Sequence, residues 1–124
     1  MITTRRLGPA VSLFHALADA TRLALVQRLS AGEARVTDLV TEFGLAQSTI
    51  SGHLAALRDC GLVTSRAEGR QMFYALARPE LIPLLAAAEE LLVAVGDRVA
   101  LVPRWEPPIP LPLDRRGPNQ PGPA

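Results

Sequence analysis

The stretch from Leu45 to Gly61, LAQSTISGHLAALRDCG, constrains the rest of the chain. Ile50, Leu54 and Leu57 fall at i, i+4 and i+7, which is one face of a helix. Gln47, Ser48, Thr49 and Ser51 crowd its first turn with short hydrogen-bonding side chains. Gly61 stands where a helix would end in a left-handed residue. A helix buried on one side, and small and polar at its N-terminal end, suits the major groove of DNA. Phosphates favour the positive end of the helix dipole, and short side chains let the backbone approach closely. An ordinary amphipathic surface helix fits the same pattern, so the flanking sequence has to decide.

Upstream, Pro9 suits a helix's first turn, and Val11, Phe14, Leu17 and Ala18 follow at helical spacing. Asp19 is an N-cap for a second helix, with Leu23, Leu25, Val26 and Leu29 as its apolar set. Glu33 to Val36 is short and can pair as a single strand. Thr37 is placed to cap a third helix, Asp38 to Phe43, before Gly44 turns the chain into the opening stretch. Helix, short glycine turn and helix make a helix-turn-helix arrangement.

Downstream, Leu62 to Ser65 reads as a strand, Ala67 to Arg70 as a turn with Gly69 at positive φ, and Gln71 to Leu76 as a second strand. Arg66 and Arg70 are expected to flank the hairpin tip. A basic hairpin beside a recognition helix is a wing, because arginine is favoured in the negative potential of the minor groove. The alternative is a surface hairpin with two solvated arginines. From Pro79 to about Val102 the pattern is helical again, with Leu81, Leu84, Leu85, Ala88, Leu92, Val95 and Val99 as an apolar stripe. That stripe either packs on its own domain or pairs with a second copy, and two-fold symmetry favours the pair.

The fold class expected is mainly α with a β-hairpin wing, a winged helix-turn-helix. Its order is helix, helix, single strand, helix, helix, two hairpin strands and a last helix. A homodimer would form through the first and last helices, by way of Val11, Phe14, Leu84, Leu85, Ala88, Leu92 and Val95. Residues 1–8 are expected as a flexible arm, 9–102 as the DNA-binding and dimerisation domain, and 103–124 as a disordered tail. Eight of the last 22 residues are proline, and Trp105 with Ile109 to Leu113 would either dock on a partner or stay inert.

A net charge of +1 confines any nucleic-acid surface to a local patch. All 13 basic residues are arginine, which suits bidentate phosphate and guanine contacts but also follows from a GC-rich genome. The single cysteine excludes an intrachain disulfide. The apolar run Leu81 to Ala88 is far too short to span a bilayer, and Asp19 and Arg22 interrupt any leader peptide. A soluble cytoplasmic protein with no membrane partner is expected. No nucleophile, base and orienting group converge, so an enzyme is not.

Residues 13–101 resemble the ArsR/SmtB winged helix-turn-helix repressors. The resemblance rests on Leu17-Ala18-Asp19-Ala20-Thr21-Arg22-Leu23 and Val36-Thr37-Asp38-Leu39, then on Gln47-Ser48-Thr49-Ile50-Ser51-Gly52-His53-Leu54. It continues through Leu57-Arg58-Asp59-Cys60-Gly61-Leu62-Val63, Glu68-Gly69-Arg70-Gln71 and Tyr74-Ala75-Leu76. It implies a homodimer on an imperfect inverted repeat of double-stranded DNA, released by an inducer that is often a metal ion. Gln47, Ser48, Thr49 and Ser51 match the family's DNA-facing positions, and Arg66, Gly69 and Arg70 match its wing. Arg58 is grouped with them as a DNA-binding residue. His53 matches a near-constant histidine that makes a structural hydrogen bond or a base contact. Ala46 replaces a common capping serine, a loss of about 1 kcal/mol. Gly52 replaces a longer polar residue, which costs the helix roughly 1 kcal/mol and shifts weight onto the wing.

The resemblance also implies metal ligands, and most are missing. The third helix has no cysteine and the last has no histidine. The cadmium/lead-type members come nearest, but only Cys60 remains of their ligand set, with Ala56 and Val102 standing where others would lie. Cys60 is then a buried structural thiol, a redox-reactive switch or a ligand completed by another subunit. His15 either is a half-buried hydrogen-bonded residue or approaches Glu89 or Glu90 across the interface to hold Ni²⁺, Zn²⁺ or Cd²⁺ weakly. The function expected is a transcriptional regulator, repressor or activator, with a degenerate or absent metal site. The alternatives are a winged-helix module that binds protein, or a DNA-binding subunit whose signal arrives through a separate sensor or co-regulator protein.

Overall fold

A computed structural model describes residues 4–102. A 3₁₀ turn (Thr4–Leu7) leads into α1 (Gly8–Leu17) and α2 (Ala20–Ser30). Strand β1 (Ala34–Arg35), α3 (Val36–Phe43) and α4 (Gln47–Asp59) follow, then the hairpin β2 (Val63–Glu68) and β3 (Gln71–Leu76), and finally α5 (Leu81–Ala94). This is the expected winged helix-turn-helix order. The expected tail, with Trp105, lies outside the described residues. Part of the expected N-terminal arm is the 3₁₀ turn, and α1 starts at Gly8.

The core forms where the helical periods intersect. Leu25 and Val26 of α2, Leu39 of α3 and Ile50, Leu54 and Leu57 of α4 are completely buried. Val63, Ala34 and Tyr74 close the core from the sheet, and Leu81 and Leu85 close it from α5. The sheet is antiparallel in the order β1-β3-β2, with Ala34 opposite Tyr74 and Ser65 opposite Tyr74 on its other side.

Local chemistry sets most of the boundaries. The Asp19 carboxylate accepts the Arg22 N–H at 3.0 Å and caps α2 as expected. Gly61, at φ 76°, ends α4 with Gly61 N–H on the Arg58 carbonyl and Leu62 N–H on the Leu57 carbonyl, a Schellman closure.

Three expectations are corrected. Thr37 does not cap α3, because β1 runs straight into the helix and Arg35 holds the N-cap position, its guanidinium on Asp38 of the first turn. The hairpin turn is only Gly69 and Arg70, since pairing continues to Glu68 opposite Gln71, and Arg66 therefore sits opposite Phe73, below the tip. The last helix stops at Ala94 rather than near Val102. Gly96, at φ 102°, ends it with a Schellman closure like that at Gly61, Asp97 N–H bonding the Leu92 carbonyl. The chain then doubles back, Leu101 enters the core, and Gln27 of α2 donates to the Ala100 and Leu101 carbonyls at 2.8 and 3.0 Å.

The expected dimer stripe is divided as a result. Leu85 is buried in its own core, and Leu84, Ala88 and Leu92 pack against it, whereas Val95 of the stripe and Leu91 and Val93 beside it are exposed. On α1, Val11 and Phe14 are exposed.

Three carboxyls are held below their ordinary range: Asp19 chiefly by the Arg22 N–H, Asp38 chiefly by the Arg35 guanidinium and Glu33 chiefly by the Arg66 guanidinium. A carboxyl with a depressed folded pKa stabilises the fold above its unfolded pKa, and that contribution is lost as the pH falls through the folded value. The melting temperature is therefore expected to drop below about pH 4. Asp19→Asn, which keeps a capping oxygen, should give a shallower acid limb, as read by thermal unfolding monitored by circular dichroism from pH 7 to pH 3.

Candidate nucleic-acid interface

Helix α4 begins without a side-chain cap, as Ala46 at its N-cap position requires. Burial of Ile50, Leu54 and Leu57 turns the opposite face outward. Gln47, Ser48, Thr49 and Gly52 are exposed, and Ser51 is half-buried at the edge. The first turn therefore offers short polar groups and free backbone N–H groups at the positive end of the helix. Arg58 is exposed in the last turn and pairs with no carboxylate among the described residues.

His53 lies on the flank of α4, and its Nδ1 accepts the Nε–H of Arg22 at 3.2 Å. An accepting Nδ1 places the ring proton on Nε2. Arg22 also donates to the Ala16 carbonyl at 3.5 Å, and the Asp19 carboxylate lies 3.7 Å from the same Nδ1. The histidine thus ties α4 to the junction of α1 and α2.

The wing tip is Gly69 and Arg70. Gly69 takes φ 63°, where a side chain would be strained. Arg70 is exposed and has no ion pair among the described residues. Arg66 is placed differently. Its Nε and Nη2 donate to the two oxygens of Glu33 at 2.8 Å each, and its Nη1 donates to Glu68 at 2.8 Å. The guanidinium also lies 4.5 Å from the centre of the Phe73 ring. Glu33 and Glu68 together push the Arg66 pKa further up.

A surface cleft joins the recognition helix to the wing. It is lined by Gln47 and Ser51 of α4, by Arg70, Gln71 and Met72 of the hairpin, by Tyr74, and by Arg35, Val36 and Thr37 at the start of α3. The fold thus unites three of the residues expected to bind DNA, Gln47, Ser51 and Arg70. Ser48, Thr49, Arg58, His53 and Arg66 do not line this cleft. Sequence reasoning missed Arg35, Thr37 and Gln71. Arg35 is engaged by Asp38 at 3.0 Å through two nitrogens and by Gln71 at 3.4 Å. The i, i+3 spacing of Arg35 and Asp38 was the available signal.

The residues weighed as metal ligands occupy separate settings. Cys60 is exposed rather than buried, and its thiol donates to the Ser12 carbonyl at 3.7 Å. His15 is exposed at the end of α1 rather than half-buried. The Glu89 carboxylate accepts the backbone N–H groups of Leu101 and Val102, and Glu90 is exposed. Among the described residues no three histidine, cysteine, aspartate or glutamate side chains come together. A soft transition metal needs three or four donors, and within one protomer the described residues do not bring that many together. No helix among the described residues is long and apolar enough to cross a membrane.

Residues 19–65 match the family of bacterial regulatory proteins designated arsR. The chain is 41% identical over 83 residues to the HTH-type transcriptional regulator CmtR of Mycobacterium tuberculosis, covering 67% of this chain and 70% of that one. It is 39% identical over 75 residues to the probable mercury resistance operon repressor of Streptomyces lividans, and spans only 60% of that relative's length. Among solved structures it resembles the homodimeric winged helix-turn-helix DNA-binding domain Mb0332 of Mycobacterium bovis, with a TM-score of 0.65 and 29% identity. That likeness covers 73% of this chain and 86% of the other.

Gly52 faces outward, and a Cβ added there meets nothing within 4 Å. Gly52→Ala is expected to stabilise the free protein by about 0.5–1 kcal/mol through helix propensity alone. Urea unfolding at neutral pH measures it. A loss of stability would show that the position is not the open helical site described.

Proposed function

We propose, from the fact that the chain belongs to the arsR family of bacterial regulatory proteins, that it represses transcription by gripping an inverted-repeat promoter site as a homodimer. That it is a DNA-binding transcriptional regulator and not an enzyme follows from the family and from the relatives it matches. The finer reading is carried by one observation, the cleft that sets the first turn of α4 beside the wing tip. Gln47, Ser48, Thr49 and Ser51 would enter the major groove, where amide and hydroxyl groups reach base edges. Arg70 would lie on the backbone or in the minor groove beside it. Arg58 would add a phosphate contact.

The dimer is supported by exposed apolar side chains on both terminal helices: Val11 and Phe14 on α1, 61% and 58% exposed, and Leu91 on α5 with Val95 at its end, 65% and 67% exposed. Large apolar groups left in water at these levels favour a covering partner. The Mb0332 domain is itself homodimeric. Repression follows the mercury resistance relative's name. No step of regulation is assigned to a metal ion, because the described residues of one protomer bring no three donors together.

The test is a titration of the full chain on a duplex from its own upstream region, against a scrambled duplex, across a salt series. Wild type should prefer the upstream duplex. Arg70→Gln should reduce the salt slope of log K by about 1, the loss of one phosphate contact. An equal affinity for both duplexes contradicts the reading, and an unchanged slope removes Arg70 from the interface.

A further inference from the structure

Arg66 has the sequence position of a wing contact and the surroundings of a fastener. Three of its nitrogens donate to two carboxylates, each at 2.8 Å, and the guanidinium stacks on Phe73. One positive charge between two negative ones leaves the cluster at −1, the wrong sign for approaching a phosphate. Its place in the sheet agrees. Arg66 pairs across the strands with Phe73, so alternation puts both on the face opposite Tyr74, which is buried in the core. Met72 and Tyr74, on the inner face, line the cleft that holds Gln47, Ser51 and Arg70; Arg35 and Gln71, which share the face of Phe73, line it too, but Arg66 and Phe73 themselves do not. Glu33 belongs neither to the hairpin nor to a helix. It precedes β1 in the loop after α2, so its bond to Arg66 fastens the hairpin to the loop that joins the helices to the sheet.

We propose that Arg66 is a positioning residue that binds the outer face of the wing to Glu33, and so aims Arg70 across the cleft toward the first turn of α4, without touching DNA. This rests on the DNA-binding reading above for its purpose, but not for its structural content. Only a guanidinium can serve both carboxylates in a plane and stack on the ring, so lysine should not replace it. A phosphate contact, by contrast, would survive the change to lysine.

The experiment compares wild type, Arg66→Lys, Arg66→Gln and Glu33→Gln as full chains, in two measurements. The first is amide hydrogen exchange of the free protein. Exchange at the hairpin tip, Gly69 to Gln71, should quicken several-fold in all three variants while the amides of α4 keep their protection. Unchanged exchange at the tip overturns the proposal whatever the DNA result. The second is the salt-dependent titration on the upstream duplex. Arg66→Lys and Arg66→Gln should both weaken binding several-fold with the salt slope unchanged. A lysine variant with wild-type affinity, joined to a glutamine variant whose slope falls by about 1, would show a direct phosphate contact and overturn it. A wild type with no preference for the upstream duplex would defeat the DNA-binding reading, and hydrogen exchange would still decide whether Arg66 fastens the wing.

Discussion

Ile50, Leu54 and Leu57 have no exposure to solvent, and the proposed DNA-binding face of the protein depends on that burial. With these three side chains locked among α2, α3 and the sheet, α4 cannot rotate about its axis without exposing apolar surface. Its polar first turn is therefore presented in one orientation. The hydrogen bond from Arg22 to His53 adds a directional restraint from the α1–α2 junction. A short polar side chain contributes to recognition only if its backbone is held still, because its reach is small. Packing below the helix supplies that rigidity, since the N-cap position, Ala46, offers no side-chain bond.

Charge is distributed sparingly. The net charge of +1 would attract DNA feebly if it were spread evenly. Three arginines are engaged in pairs that hold the fold: Arg28 with Glu42, Arg35 with Asp38, and Arg66 with Glu33 and Glu68. What remains unpaired among the described residues for the proposed interface is Arg70 at the wing tip and Arg58 in the last turn of α4. A cation on the wing beside the first turn of α4 and another in the last turn of α4 can set the register on a duplex while leaving the choice of sequence to the polar turn. Proposed in this way, the interface places few charges, each with a positional task.

The sequence was most informative where a local rule decides the structure. The 3.6-residue period identified the buried face of α4, Asp19 announced the start of α2, and the alternation from Gln71 to Leu76 identified β3. Gly61 and Gly96 carry the same closing chemistry, yet only Gly61 stands out as a stop in the sequence, because the apolar residues beyond Gly96 continue a helical spacing. Leu101 is apolar for another reason: it returns to the core after the chain reverses. Arg66 shows the harder limit. Its partner Glu33 is 33 positions away, and only strand pairing brings the two together. The cleft is likewise tertiary, since Thr37, Gln47 and Arg70 come from three elements that no spacing rule connects.

Amide chemical-shift mapping tests the central claim most directly, that the first turn of α4 and the wing tip form one DNA-binding surface. Isotope-labelled protein would be titrated with the upstream duplex at physiological salt. The largest shifts are expected on Gln47 to Gly52 and on Gly69 to Gln71 together. The outer-face residues Arg66 and Phe73, and the exposed apolar positions of α1 and α5, should move little. Shifts concentrated on α1 and α5, or on the outer face of the sheet with α4 unmoved, would contradict it.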